Sequence, residues 1–267
     1  MFSKAAYELN LVRSVAKLFG KRKALKFALF VPAVLISGQN RTAYERIAPC
    51  ETKIEGRNII FPHPDARFID EIVVEGCYTL SPGFQIGPND TVVDLGANIG
   101  IFSILAGIRA TNGRVIALEP EEQNYQFLCE NVRSNSLRNV EPYRLAISSA
   151  DGLLDLYMAN PGNNTILLDH FGRSTKRSQR VEAISMKSLI ARFQLNEINF
   201  LKMDVEGSEF QIFRENRWLE QVQRIAMEVH PDVGDPSMIR RKLEEKNFSV
   251  KTAPAYDKGL LYFYGQR

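Results

Sequence analysis

The chain has 267 residues, 45% of them hydrophobic and 24% charged, with a formal net charge of +3. That length allows one large domain with a sizeable core, or one domain with a small appendage, and the composition excludes a disordered chain, a collagen and a disulfide scaffold. The three cysteines, Cys50, Cys77 and Cys129, form no Cys-x-x-Cys pair and read as small apolar fillers in a reduced, intracellular protein.

Charge is unevenly placed. Residues 1–26 carry seven bases against the single acid Glu8, a net of +6, so the remaining 241 residues sum to −3. A main domain that is not basic makes a poor nucleic-acid groove, and no nucleic-acid partner is expected. Phe2, Ala5, Leu9, Val12, Ala16 and Phe19 recur at spacings of three and four, which predicts a helix with one apolar stripe. The apolar run 27–36, broken by Pro32, is too short to span a bilayer, and no Ala-x-Ala cleavage site follows it. Residues 1–64 are read as a helical cap and connector. The other use of residues 1–36 is a helix lying on an anionic membrane surface. The expected location is cytoplasmic, with that membrane contact as the variant. Residues 37–88 read as irregular chain.

The catalytic domain is placed at 65–267, and from residue 90 strands and helices alternate. Strands are predicted at 91–95, 114–119, 140–147, 199–204 and 224–229. Helices are predicted at 101–110, 121–134, 187–193, 209–216 and 237–246. Two further strands, 153–158 and 180–185, read as an insertion, and 248–252 with 260–264 as a closing hairpin. Such alternation predicts an α/β fold with a doubly wound, mostly parallel seven-stranded sheet, in which ligands bind beyond the carboxyl ends of the strands where strand order reverses.

The strongest motif is Val92-Val93-Asp94-Leu95-Gly96-Ala97-Asn98-Ile99-Gly100, a strand running into a glycine turn that opens a helix. A dinucleotide turn would want glycine where Asn98 and Ile101 stand, so a ligand without a pyrophosphate fits better. Glu119 follows Asp94 by 25 residues, at the end of the second strand, where a carboxylate can accept from both hydroxyls of a ribose. Asp94 can attract a cationic amino group or sulfonium. Together these features describe a nucleoside joined to a cationic amino acid, S-adenosylmethionine, held by Asp94, Gly96, Asn98, Gly100 and Glu119.

Asp94-Leu-Gly-Ala-Asn-Ile-Gly100, followed by Leu201-Lys-Met-Asp-Val-Glu-Gly-Ser-Glu-Phe210 and Met227-Glu-Val-His-Pro231, resembles the FkbM family of S-adenosylmethionine-dependent methyltransferases over roughly residues 65–265. The resemblance implies a Rossmann-like fold, that cofactor, and methylation of hydroxyl oxygens on sugars or natural products. Two places depart from the family's pattern. Met186-Lys187 stands where a Leu-Asp pair is common, and Glu215-Asn216 where a glycine often follows the next helix.

The acceptor side is expected at the ends of the later strands. Asp204, Glu206 and Glu209 crowd the end of 199–204, with Asp204 facing the methionine end of the cofactor. Glu228 and His230 end the next strand, beside the first. A hydroxyl is a poor nucleophile until its proton is removed, so His230 is the first candidate base and Glu206 the second. Asp204, Glu206, Glu228 and His230 also offer oxygen-rich ligation for magnesium or manganese, but their spacing is no specific metal signature, and no metal is assigned. The acceptor is expected to be a small molecule or glycan. The amide-rich loop 160–165 suits a sugar, while Arg173, Lys176, Arg177 and Arg180 read as a solvated basic loop, and Tyr256 and Tyr262 as core packing. Three other readings remain: a nucleotide-dependent oxidoreductase, an inactive S-adenosylmethionine-binding or membrane-associated scaffold, and an N-methyltransferase. The Asn/Asp-Pro-Pro-Tyr/Phe motif of amino-methylating enzymes is absent.

Overall fold

The computed structural model describes residues 50–158, 164–165, 178–255 and 259–267. The stripe at 2–19, the run 27–36, most of the amide loop, Arg173, Lys176, Arg177 and Tyr256 lie outside them. Among the described residues no helix is long and apolar enough to cross a membrane.

The central strands are mostly apolar, because strands covered on both faces need no polar side, and Asp94, Lys202 and Glu228 are charged exceptions near their carboxyl ends. β3 (Thr91–Leu95), β4 (Arg114–Leu118), β5 (Val140–Tyr143), β10 (Phe200–Met203) and β11 (Arg224–Val229) all pair in parallel. β12 (Ser249–Pro254) and β13 (Leu261–Gln266) close the sheet as a hairpin, with β13 antiparallel to both its neighbours. The order is β12-β13-β11-β10-β3-β4-β5. Successive residues of β3 face opposite cores, Val92 toward Phe102 and Ile104, Val93 toward Leu189 and Phe213. Strand order therefore reverses between β3 and β10, the switch point at which such sheets bind ligands. β11 is separated from β3 by β10, which corrects the expectation that His230 ends a strand beside the first.

α2 (Ile101–Arg109) is buried from Ile101 through Ile108, as befits a helix pressed between sheet and cover. α3 (Glu122–Ser134) is capped by Glu121, whose carboxylate accepts from the backbone N–H groups of Gln123 and Asn124. The remaining helices are α1 (Ala66–Ile69), α4 (Met186–Arg192), α5 (Glu209–Ile212) and α6 (Pro236–Glu244), the last capped by Asp235.

Three expected elements differ. The strand at 140–147 breaks after Tyr143, and Ala146–Ser148 becomes β6, pairing in parallel with β9 (Ser178–Ser185). β9 also pairs antiparallel with β7 (Gly152–Met158), the expected insertion, so β6 completes a second sheet with β8 (Asn164–Thr165). The helix at 209–216 stops at Ile212, and a 3₁₀ turn at Arg217–Gln221 brings Trp218 edge-on to Phe213 at 5.2 Å. Filling the core with two large rings outweighs continuing a short helix. Within the supposedly irregular 37–88, β1 (Cys50–Ile54) and β2 (Arg57–Phe61) form a hairpin, followed by α1 and a π-helical turn at Asp70–Val74. Ile54, Ile59 and Phe61 of that hairpin belong to the same core as α2.

The departures from the family's pattern fall where local geometry makes no special demand. Met186 is buried at the start of α4, whose N-cap is supplied by Ser185 and reinforced by Asp151 accepting from Ser185 N and Ser188 Oγ. Asn216 sits at φ −124°, a conformation that needs no glycine.

Asn131 on α3 ties the hairpin to the glycine turn. Its side chain is wholly buried; it accepts from His63 N and donates to the carbonyls of His63 and Ile99. Asn131→Ala would strand those backbone groups away from water. It is expected to cost about 2–4 kcal/mol of stability. Urea unfolding measures this, and a loss well under 1 kcal/mol would show that the hairpin is held by other contacts.

Candidate active site

Register sets the site. Leu95 lies opposite both Met203 and Leu118, so Gly96, Asp204 and Glu119 emerge side by side from neighbouring strands. Met203 lies opposite Met227, which puts Glu228 beside Asp204. The glycine turn bends through three left-handed residues, Gly96 at φ 76°, Asn98 at φ 51° and Gly100 at φ 87°. Asparagine tolerates that region better than most side chains, which explains its place between the glycines. A Cβ on Gly96 would lie 1.8 Å from the Asp204 carbonyl oxygen, and one on Gly100 2.4 Å from a Leu128 methyl, so the turn packs on backbone at one end and on a side chain at the other.

Each expected cofactor residue has a definite setting. Glu119 is buried, and its two oxygens accept from Asn98 N at 2.8 Å and Glu121 N at 2.9 Å, so it fixes the turn. Burial pushes its carboxyl up to about 7, against the pull of those two N–H groups. Asp94 is fully buried. Its Oδ2 accepts from Ser103 Oγ at 2.6 Å, and the Lys202 ammonium lies 3.2 Å from Oδ1. The charge expected to attract the cofactor's cation is thus already paired inside the protein.

Lys202 is the group that sequence reasoning passed over. Its ammonium donates to the Gly96 carbonyl at 2.6 Å and lies 4.0 Å from Asp204 Oδ2. Burial opposes its charge, but Asp94 and Asp204 outweigh burial and hold it protonated, with its pKa above the usual lysine value. The available signal was a lysine inside the buried strand Phe200–Met203, a place lysine seldom occupies unless paired. Tyr78, whose hydroxyl donates to Asp204 Oδ2 at 3.2 Å, gave no such signal.

Asp204 keeps 26% of its side chain exposed, and its Oδ1 is buried with no hydrogen-bond partner among the described residues. An orphaned carboxylate oxygen beside the glycine turn fits the ammonium of S-adenosylmethionine, and Glu119 fits its ribose through the acceptor capacity that two backbone donors leave unused.

The acceptor-side residues gather around His230. Glu209, fully buried at the start of α5, accepts from His230 N at 2.8 Å and from Nδ1 at 3.0 Å. Glu206 stands 3.4 Å from Nε2, on a turn where Glu206 and Gly207 both adopt positive φ, 51° and 93°. Such strain in a non-glycine residue is characteristic of functional turns. Burial would lower the imidazole pKa, but hydrogen bonds and charge from Glu206 and Glu209 push it up to about 11. His230 therefore already carries the proton that a base at neutral pH would have to accept. Burial raises Glu206 to about 7, opposed by its bond to His230. Glu228 is raised well above the carboxylate range by burial and by Asp204. One ligand atom each from Asp204, Glu228 and His230 lies within 4.8 Å of the others. Tyr262 is buried and its hydroxyl meets Glu71, so it packs rather than stacks on a ligand, and Arg180 lies on β9 of the second sheet.

Comparison with known proteins agrees with this geometry. A family model described as "Methyltransferase FkbM domain" matches residues 94–250. The methyltransferase sdnD of Sordaria araneosa is 27% identical over 219 residues, covering 70% of this chain and 83% of the relative. The hexuronic acid methyltransferase AglP of Haloferax volcanii is 27% identical over 167 residues, 61% of this chain and 65% of its own. The 31-O-demethyl-FK506 methyltransferase FkbM of Streptomyces tacrolimicus is 24% identical over 220 residues, 70% and 83%. With the glycine turn, the Asp-Val-Glu-Gly turn and His230 all inside the matched span, the chain belongs to the FkbM family of methyltransferases.

Proposed function

We propose that this methyltransferase methylates a hydroxyl oxygen of a sugar or natural-product-like acceptor, with Glu206 taking the hydroxyl proton. The observation that carries this reading is the setting of Glu206. It is partly exposed at 16%, held on a strained turn at the switch point, and braced from behind by a charged His230. Two relatives, named for a hexuronic acid and for 31-O-demethyl-FK506, support a sugar-like or natural-product-like acceptor.

S-adenosylmethionine supplies an electrophilic methyl group on a sulfonium. Glu119 and Asp204 orient it at its ribose and its amino-acid end, and Gly96 and Gly100 let the turn between them pack closely on Asp204 and Leu128. Glu206 accepts the proton of the acceptor's hydroxyl, whose oxygen would take the methyl as the methyl–sulfur bond breaks and leaves a neutral thioether. His230, fixed by Glu209, keeps Glu206 in place and balances its charge once it is ionised. A carboxyl near 7 suits this task, because a base works best when its pKa lies close to the working pH.

Glu206→Gln is expected to lower kcat by about 10²–10⁴-fold while leaving S-adenosylmethionine affinity within about twofold. Full turnover on a hydroxyl acceptor would remove Glu206 as the base. Because the base must be ionised, kcat/KM of the native enzyme should rise with pH and level off above about 7. A profile flat from pH 5 to 8 contradicts the assignment. Glu119→Ala should weaken S-adenosylmethionine binding by at least about tenfold in calorimetric titration, since two hydrogen bonds to one carboxylate are lost. Unchanged affinity would place the ribose elsewhere. Mass spectrometry of products from paired alcohol and amine acceptors tests the chemistry itself, and methyl transfer to amines alone would overturn O-methylation.

A further inference from the structure

Tyr78 lies on none of the strands of the sheet. It belongs to the stretch between the π-helical turn and β3, before the first residue of the family match. Yet only 3% of it is exposed. Its ring meets Phe102 and Tyr262 edge-on, each at 5.6 Å, and lies 5.4 Å from the Lys202 ammonium. Its hydroxyl donates to Asp204 Oδ2 at 3.2 Å. A phenylalanine would fill the same space, and a buried hydroxyl costs stability unless it is bonded, so the choice of tyrosine points to a role for that one bond.

We propose that Tyr78 is a positioning residue for S-adenosylmethionine: its hydroxyl holds Oδ2 of Asp204 so that Oδ1 is presented to the cofactor's ammonium. This rests on the reading of Asp204 as a cofactor residue. The terminal torsion of an aspartate is soft, and a bond to one oxygen fixes the plane of the other. A neutral donor is the suitable kind. A lysine or arginine in its place would cancel the charge that draws the ammonium, whereas a phenol leaves that charge intact. Lys202 does not cancel it outright, since its one ammonium is shared between two carboxylates, Asp94 at 3.2 Å and Asp204 at 4.0 Å, and can offset only one charge of the two. Burial, reinforced by the Asp204 charge, keeps the Tyr78 hydroxyl protonated far above neutral pH, so it remains a donor wherever the protein is folded.

The test is a double-mutant cycle on S-adenosylmethionine affinity, measured by calorimetry on the full chain. Tyr78→Phe keeps the ring and should raise Kd about tenfold, because the Asp204 side chain must then be ordered when the cofactor binds. Asp204→Asn should raise it as well, and in that background Tyr78→Phe should add little. Tyr262→Phe serves as the packing control. It loses a hydroxyl from the same ring cluster, but one directed at Glu71, and should leave Kd unchanged. Thermal unfolding of each variant checks the fold. An unchanged Kd for Tyr78→Phe beside a weakened Asp204→Asn overturns the role of Tyr78 alone. Additive losses in the double variant, or an equal loss in Tyr262→Phe, overturn it too, because Tyr78 would then act through packing. An Asp204→Asn variant with native affinity overturns the underlying reading of Asp204.

Discussion

A buried ammonium holds the centre of this molecule together. Lys202 rises from β10 into the gap where strand order reverses, and there it meets Asp94 of β3, the Gly96 carbonyl and Asp204. Taking such a charge out of water is costly by several kcal/mol, and removing one partner of a buried pair leaves the other stranded. The two strands that define the switch point are thus held by an interaction that fails if either moves. The contact is reinforced by Gly96, which leaves no room for a side chain against the backbone of Asp204. The glycine turn and the acidic turn behave as one unit, although more than a hundred residues of chain separate Gly96 from Lys202.

The same pairing explains which parts of the site could be read from sequence. Strands Thr91–Leu95 and Arg224–Val229 were legible to the residue, because a short, mostly apolar run flanked by polar residues is a local signal. The turns after β3 and β10 were legible because glycine and clustered carboxylates mark strand ends. What the residues do to one another was not. Asp94 reads as a free anion until Lys202 is folded onto it. His230 reads as a base near neutrality until Glu209, 21 positions earlier, closes on its Nδ1. The break at Tyr143 was hidden for a similar reason, since Ala146–Ser148 leaves one sheet only because β9 offers an edge in another. The hairpin at 50–61 has strands of only five residues, too short to show a period against the charges Glu51, Lys53, Glu55 and Arg57.

Acid dominates the mouth of the site, and its balance bears on the chemistry. Asp204, Glu206 and Glu228 emerge together, with Glu71 contributing to the same field. A surplus of carboxylates welcomes a cationic donor, but held unopposed it would also resist a reaction in which the sulfonium becomes neutral. Lys202 and His230 set a limit to that resistance. Each is a fixed cation, locked by two carboxyl groups and unable to follow the moving charge. Preorganised charges of both signs around a water-poor centre can favour binding without trapping the bound state, because no solvent has to reorganise as charge moves. Under the proposed assignment, the glutamate that takes the proton is the one least constrained. Glu209 is fully buried with both His230 bonds on one oxygen, and Asp204 is held by Tyr78 and near Lys202. Glu206 alone combines a partly exposed side chain with a carboxyl poised near neutrality and a charged neighbour to stabilise it after the proton has moved on.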